Sequence, residues 1–128
     1  MKLLFDTHVL LWAAASPQRI SRKVRMLIEN RENALIFSAA SIWEIVIKRT
    51  LGRRDFRVDP QRVRRRLIEN GYDELPIGGE HVLRVASLPA VHRDPFDRLL
   101  VAQAIHEGLV LVTADRALAQ YPASVVMA

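Results

Sequence analysis

Two apolar runs in this sequence have the length of buried strands, and each ends at an aspartate. Leu3-Leu4-Phe5 precedes Asp6, and residues 109–114 precede Asp115. Their Leu, Val and Phe content is typical of strands in a parallel sheet. Because ligands bind outside the carboxyl ends of the strands in open α/β sheets, both carboxylates are predicted to share that edge. Like charges at close range must take up protons or bind a cation, and we favour a metal ion.

Strand and helix signals alternate along the rest of the chain. Strands are predicted at residues 2–5, 34–37, 75–77, 109–113 and 124–127. Helices are predicted at residues 7–15, 22–32, 41–50, 60–70, 79–88, 96–107 and 117–120. Two of these helices follow an Asp-Pro pair, which places a capping side chain before a proline at the first helical position. The alternation predicts a single α/β domain, residues 1–128, with a mostly parallel five-stranded sheet.

Composition excludes several classes of site. The 128 residues contain no cysteine, which removes disulfides, thiolate catalysis and thiolate zinc sites and suits a reducing compartment. No signal peptide is visible at the start, and no uncharged stretch is long enough to cross a bilayer. We therefore expect a cytoplasmic protein without a membrane partner.

The positive charge is concentrated in one stretch, residues 48–66. It holds nine of the 19 Lys and Arg residues, against only Asp55 and Asp59. Such a stretch attracts phosphate backbones, and arginine suits phosphate geometry particularly well. A solvated helix face or an acidic protein partner would explain the same charges. Arg64 and Arg65 are our candidates for substrate binding.

Four acidic residues are candidates for the site: Asp6, Glu44, Asp97 and Asp115. Each also has a purely structural explanation. Asp6 and Asp115 could cap the helices that follow them, and Asp97 lies in a first helical turn, where the helix dipole favours an acid. Glu44 matches a capping box that begins at Ser41, although its apolar neighbours suggest a carboxylate that points into a cleft.

Four segments in this order resemble one known family. They are residues 3–8 (LLFDTH), 38–45 (SAASIWEI), 92–104 (HRDPFDRLLVAQA) and 111–115 (LVTAD), and together they span nearly the whole chain. They look like the PIN-domain ribonucleases, in particular the VapC-type toxins of bacterial toxin-antitoxin pairs. One departure is Ala114, where the family more often has Arg or Asn.

The resemblance implies a three-layer α/β/α fold in which Asp6, Glu44, Asp97 and Asp115 converge at one edge of the sheet. It also implies an endoribonuclease that uses Mg²⁺ or Mn²⁺, forms a homodimer and is inhibited by a small cognate antitoxin protein. Asp6 and Asp97 would be the direct metal ligands, because Mg²⁺ is usually held by one or two carboxylates, water and substrate phosphate. RNA would be the substrate.

Other classes fit the residues less well. A phospho-acceptor receiver domain would need a lysine late in the chain, but the last of the three lysines is Lys48. A haloacid dehalogenase-type phosphatase would need Asp-x-Asp after the first strand, where this chain has Asp6-Thr7-His8. The four histidines lack the His-x-x-x-His spacing of a metal site. The remaining alternative is a catalytically weak PIN-like module that binds RNA or an antitoxin.

Overall fold

The computed structural model describes residues 1–128 and contains one five-stranded sheet in which all strand pairs are parallel. The spatial order is β3-β2-β1-β4-β5, which places β1 at the centre. The strands are Lys2–Phe5 (β1), Ala34–Ser38 (β2), Asp73–Leu75 (β3), Val110–Thr113 (β4) and Val125–Met127 (β5). The predicted α/β class with a parallel five-stranded sheet is therefore confirmed.

The third strand lies two residues earlier than its apolar residues predicted. β3 is an edge strand that pairs only with β2, so Asp73 and Glu74 remain exposed within it. Pro76 has no N–H to donate and directly follows the strand. The prediction of residues 75–77 was wrong because an edge strand does not need an apolar pattern.

Six α-helices connect the strands. They are Thr7–Ala15 (α1), Arg22–Glu29 (α2), Ala39–Thr50 (α3), Pro60–Glu69 (α4), Gly79–Val85 (α5) and Pro95–Glu107 (α6). Short 3₁₀ turns occupy Pro17–Arg19, Arg54–Phe56 and Arg116–Gln120. Gly108, with a φ angle of 66°, ends α6 in the left-handed conformation that glycine adopts without strain. None of these helices combines the length and the apolar character needed to span a bilayer.

The hydrophobic core has two halves, one on each face of the sheet. Leu3 and Phe5 of β1 pack with residues of α1, α2, α3 and α4. Leu4, between them, packs on the opposite side with residues of α6. Since successive side chains of a strand point to opposite faces, this alternation confirms the three-layer α/β/α arrangement.

The parallel register brings several chain segments to one edge. Phe5 pairs with Val112, so the residues that follow β1 and β4 lie side by side, and the Asp6 N–H donates to the Val112 carbonyl at 2.9 Å. β2 lies on the other side of β1 and leads directly into α3. This edge therefore presents Asp6, the start of α3 and the loop after β4 together.

Candidate active site

Asp6 lies at the centre of the edge and is 5 % exposed. Its Oδ1 accepts a hydrogen bond from the Val9 N–H at 3.0 Å, so it caps α1 as the structural explanation required. Its Oδ2 accepts a hydrogen bond from the buried hydroxyl of Thr113, the last residue of β4. Burial raises the pKa of Asp6, although both hydrogen bonds stabilise the carboxylate. Capping alone does not require this degree of burial.

Glu44 does not belong to a capping box. The N-cap of α3 is Ser38, whose Oγ accepts from the Ala40 N–H, and Glu44 lies well inside the helix. The capping-box explanation is therefore wrong. Glu44 is only 2 % exposed, and its Oε1 accepts a hydrogen bond of 2.5 Å from the Thr7 hydroxyl at the start of α1. As its apolar neighbours suggested, the carboxylate points inward, toward the residue next to Asp6.

Lys48 lies one turn after Glu44 and neutralises part of the negative charge. Its Nζ is 2.5 Å from Glu44 Oε2 and 3.3 Å from Asp94 Oδ2. The lysine side chain is only 15 % exposed. It thereby joins α3 to the residue that caps α6.

Asp97 lies in the first turn of α6, close to several other carboxylates. Asp94 caps α6 as predicted, accepting from the N–H groups of Phe96 and Asp97 at 2.8 and 3.2 Å. Burial, followed by the charges of Asp94, Glu44 and Asp6, raises the pKa of Asp97 to about 7, although His92 opposes this rise. The helix dipole favours the ionised form at this position, so burial and the neighbouring carboxylates outweigh it.

His92 links Asp97 to Asp115. Its Nε2 lies 3.0 Å from Asp115 Oδ2 and 3.5 Å from Asp97 Oδ2, and the three side chains place ligand atoms within 4.8 Å of one another. The Asp94 N–H donates to Nδ1 of the ring at 3.0 Å, so the ring proton is on Nε2 and faces both carboxylates. Asp115 also caps the following 3₁₀ turn through the Ala117 N–H. Its side chain is 43 % exposed, more than that of the other site acids.

The donor atoms suit a hard divalent ion. Carboxylate oxygens are the ligands that Mg²⁺ and Mn²⁺ prefer, and no thiolate is present to favour a softer metal. Asp97 is close enough to Asp6 and Glu44 for both to raise its pKa, so the three carboxylates share one electrostatic environment. A bound cation would remove the repulsion that now favours a protonated Asp97.

Arg64 and Arg65 lie on α4, outside this group of carboxylates. Arg64 forms a two-pronged hydrogen-bonded ion pair with Glu74 of β3, with N–O distances of 2.7 and 3.0 Å. Arg65 is exposed, and none of the hydrogen bonds or ion pairs of the structure involves its side chain. Of the two candidates, Arg65 has its guanidinium available for a phosphate.

A second group of titratable side chains has a different explanation. Ligand atoms of His81, His106 and Glu107 lie within 4.8 Å of one another. The Gly78 N–H and the Gln103 amide both approach Nδ1 of His81, at 2.9 and 3.3 Å, so its ring proton is on Nε2, facing Glu107 at 3.4 Å. A metal would have to displace that proton and invert these hydrogen bonds. The group is a hydrogen-bond network.

Sequence reasoning missed four residues that contact the site acids: Thr7, Lys48, His92 and Thr113. The four-residue spacing of Glu44 and Lys48 was a usable signal, since such pairs face each other on a helix. The hydroxyls of Thr7 and Thr113 gave none, because their partners are distant in sequence. His92 gave no signal either, because it has no second histidine at metal-site spacing.

Comparisons with known proteins agree with this architecture. The PIN domain family model matches residues 3–123. Ribonuclease VapC22 of Mycobacterium tuberculosis is 30 % identical over 128 aligned residues, covering 91 % of this chain and 88 % of that protein.

Two crystal structures show the same fold at low identity. VapBC2 from Rickettsia felis, bound to a promoter DNA fragment, matches with a TM-score of 0.71 and 14 % identity. DNA-bound VapBC from Salmonella typhimurium matches with a TM-score of 0.70 and 15 % identity. Each alignment covers 99 % of this chain and 98 % of the other. With its sequence matched over nearly its full length, this chain belongs to the PIN-domain family.

Proposed function

We propose that this chain is a single-domain endoribonuclease that depends on Mg²⁺ or Mn²⁺ and acts in the cytoplasm as the toxin of a toxin-antitoxin pair. The observation that carries the proposal is the grouping of buried carboxylates at this edge of the sheet, where burial and three neighbouring carboxylates raise the pKa of Asp97 to about 7. Perturbed carboxyls grouped at the ligand-binding edge of an α/β sheet indicate a functional site. The ribonuclease name of the curated relative supports the choice of substrate.

Asp6 and Asp97 would hold the metal ion, and Asp115 lies beside Asp97 to assist. When bound, such an ion polarises a scissile phosphate and lowers the pKa of a water molecule. The protein contributes fixed positions: Thr113 orients Asp6, and Thr7 orients Glu44. Groups held by hydrogen bonds in this way need little rearrangement when substrate binds.

RNA would reach the edge as a single strand or loop, whose backbone can bend into a cleft. Arg65, with the other arginines of residues 48–66, would hold flanking phosphates. The partners we propose are a cognate small antitoxin and a second copy of the chain. The antitoxin is supported by the VapBC structures that share the fold.

Cleavage mapping tests the proposal. The purified protein would be incubated with total cellular RNA in Mg²⁺ or in EDTA, and new RNA ends would be sequenced. We expect discrete new ends in Mg²⁺ that disappear in EDTA and with Asp97→Asn. Equal cleavage in EDTA would contradict the metal-dependent reaction. RNA binding without new ends would instead support the catalytically weak binding module.

A further inference from the structure

Lys48 is the one lysine whose side chain is enclosed by the site. Its ammonium lies between carboxylates of two different helices, Glu44 of α3 and Asp94 at the start of α6. Two aromatic rings complete the enclosure, with Nζ 5.0 Å from the centre of Phe56 and 5.9 Å from that of Phe96. Ring faces attract cations, so the surroundings select a positive charge as well as an apolar stem.

The charge on Lys48 is maintained in spite of burial. Burial alone would lower the pKa of the ammonium, but hydrogen bonds and charge attraction to Glu44 and then Asp94 raise it above its ordinary value. A lysine that only stabilised α3 would need Glu44 alone, as in exposed pairs four residues apart. Contact with Asp94 instead places the cation between acids from separate parts of the chain.

The five carboxylates of the site therefore fall into two groups. Glu44 and Asp94 share Lys48 as their counter-ion, while Asp6, Asp97 and Asp115 have no lysine or arginine within ion-pair distance. Among the basic side chains, only that of His92 lies within ion-pair distance of the second group, at Asp97 and Asp115. A divalent ion at Glu44 would have to displace an ammonium 2.5 Å from its oxygen or be repelled by it.

We propose that Lys48 is a built-in cation that occupies the position of a second metal ion, so that the site binds a single divalent ion through Asp6 and Asp97. This inference rests on the proposed metal-dependent function. Two-metal nucleases place ions roughly 3.5–4 Å apart on shared carboxylates. Here the ammonium beside Glu44 would contribute the second positive charge without being exchangeable.

Metal stoichiometry tests this role directly. Mn²⁺, which carries an electron-spin signal, would be titrated into the purified protein and the bound ions counted by electron paramagnetic resonance. Four proteins are compared: wild type, Lys48→Met, Lys48→Arg and, as a control on the exposed face of α2, Lys23→Met. Methionine fills a similar volume between the two rings without a charge.

We expect one bound Mn²⁺ in wild type, Lys48→Arg and Lys23→Met, and two in Lys48→Met. Two ions in wild type would overturn the inference even if Lys48→Met failed to fold, and so would one ion in a folded Lys48→Met. RNA cleavage by a wild-type protein that holds two ions would refute this role of Lys48 but would leave the proposed function in place. Absence of both Mn²⁺ binding and RNA cleavage in wild type would refute the proposed function as well.

Discussion

The hydroxyl of Thr7 donates a hydrogen bond of 2.5 Å to Oε1 of Glu44, across 37 positions of sequence. Ser41 Oγ lies 3.0 Å from the same hydroxyl oxygen, so three buried polar groups share one contact. This contact fixes the start of α1, which Asp6 caps, against α3. The orientation of Glu44 therefore depends on Thr7, which is not one of the proposed metal ligands.

Thr7→Val should lower both stability and activity. The substitution keeps the shape of the side chain but leaves Glu44 Oε1 and the Ser41 hydroxyl without their partner, which costs about 1–3 kcal/mol of unfolding free energy. Thr7→Ser retains the hydroxyl and should lose much less. Chemical denaturation of both variants measures the difference. Equal stability of Val and Ser variants would mean that the hydroxyl contributes nothing.

Asp97→Asn should change the pH dependence of stability in metal-free buffer. The carboxyl has a pKa of about 7 in the folded protein against 3.8 ordinarily, so between these values the folded state holds a proton that the unfolded state has lost. Wild-type stability should therefore fall as pH rises from about 4 to 7, and the asparagine variant should lack this fall.

The resulting advantage of Asp97→Asn should reach a few kcal/mol above pH 7, at about 1.4 kcal/mol per pKa unit. Mg²⁺ should reduce that advantage because it stabilises the ionised wild-type carboxylate. Urea denaturation at several pH values, with and without Mg²⁺, provides the measurement. A difference between the two proteins that stays constant from pH 4 to 8 would show that Asp97 is not perturbed.

Glu44 and Lys48 should show energetic coupling in a double-mutant cycle. Removing Lys48 leaves the buried Glu44 carboxylate without its counter-ion, and removing Glu44 leaves the ammonium with Asp94 alone, whereas removing both leaves two neutral groups at this contact. We expect the double variant Glu44→Gln/Lys48→Met to lose less unfolding free energy than the two single variants lose in sum, by at least about 1 kcal/mol. Additive effects on the denaturation midpoint would indicate that the pair does not interact in solution.

Arg65→Gln should weaken RNA binding more than Arg64→Gln does, because Arg64 is paired with Glu74. Each lost phosphate contact reduces the slope of log affinity against log salt by about 0.7 for single strands. Lys23→Gln on α2 is the control, because it also removes one positive charge but lies outside residues 48–66. Filter binding across a salt series checks this, and identical slopes for Arg65→Gln and wild type would assign the arginine to another partner.

The strands and helices were largely predictable from sequence because buried parallel strands form apolar runs and caps have local signals. The Asp94-Pro95 start and Gly108 end of α6 are set by neighbouring residues, and both were predicted correctly. β3 was misplaced because an exposed edge strand carries no such pattern. The capping box at Ser41 was wrong because Ser38 begins the helix earlier with an equally suitable side chain.

The site was less predictable than the fold. Acids after strands could be selected because burying a charge is costly, but the sequence does not show which of them share a counter-ion. That Lys48 reaches Asp94 depends on how α3 packs beside α6, a relationship between residues 46 positions apart. The same holds for the hydrogen bond from Thr113 to Asp6, which depends on the pairing of β4 with β1.

Cleavage of a single-stranded RNA by wild type and Asp6→Asn over a Mg²⁺ titration tests most directly whether these carboxylates bind a catalytic ion. We expect that the wild-type rate rises with Mg²⁺, that EDTA abolishes it and that Asp6→Asn lowers it about 100-fold or more. Metal-ion catalysis is worth several kcal/mol, at 1.36 kcal/mol for each factor of ten. Folded Asp6→Asn protein that cleaves at the wild-type rate, or wild-type cleavage that persists in EDTA, would show that these carboxylates do not bind a catalytic ion.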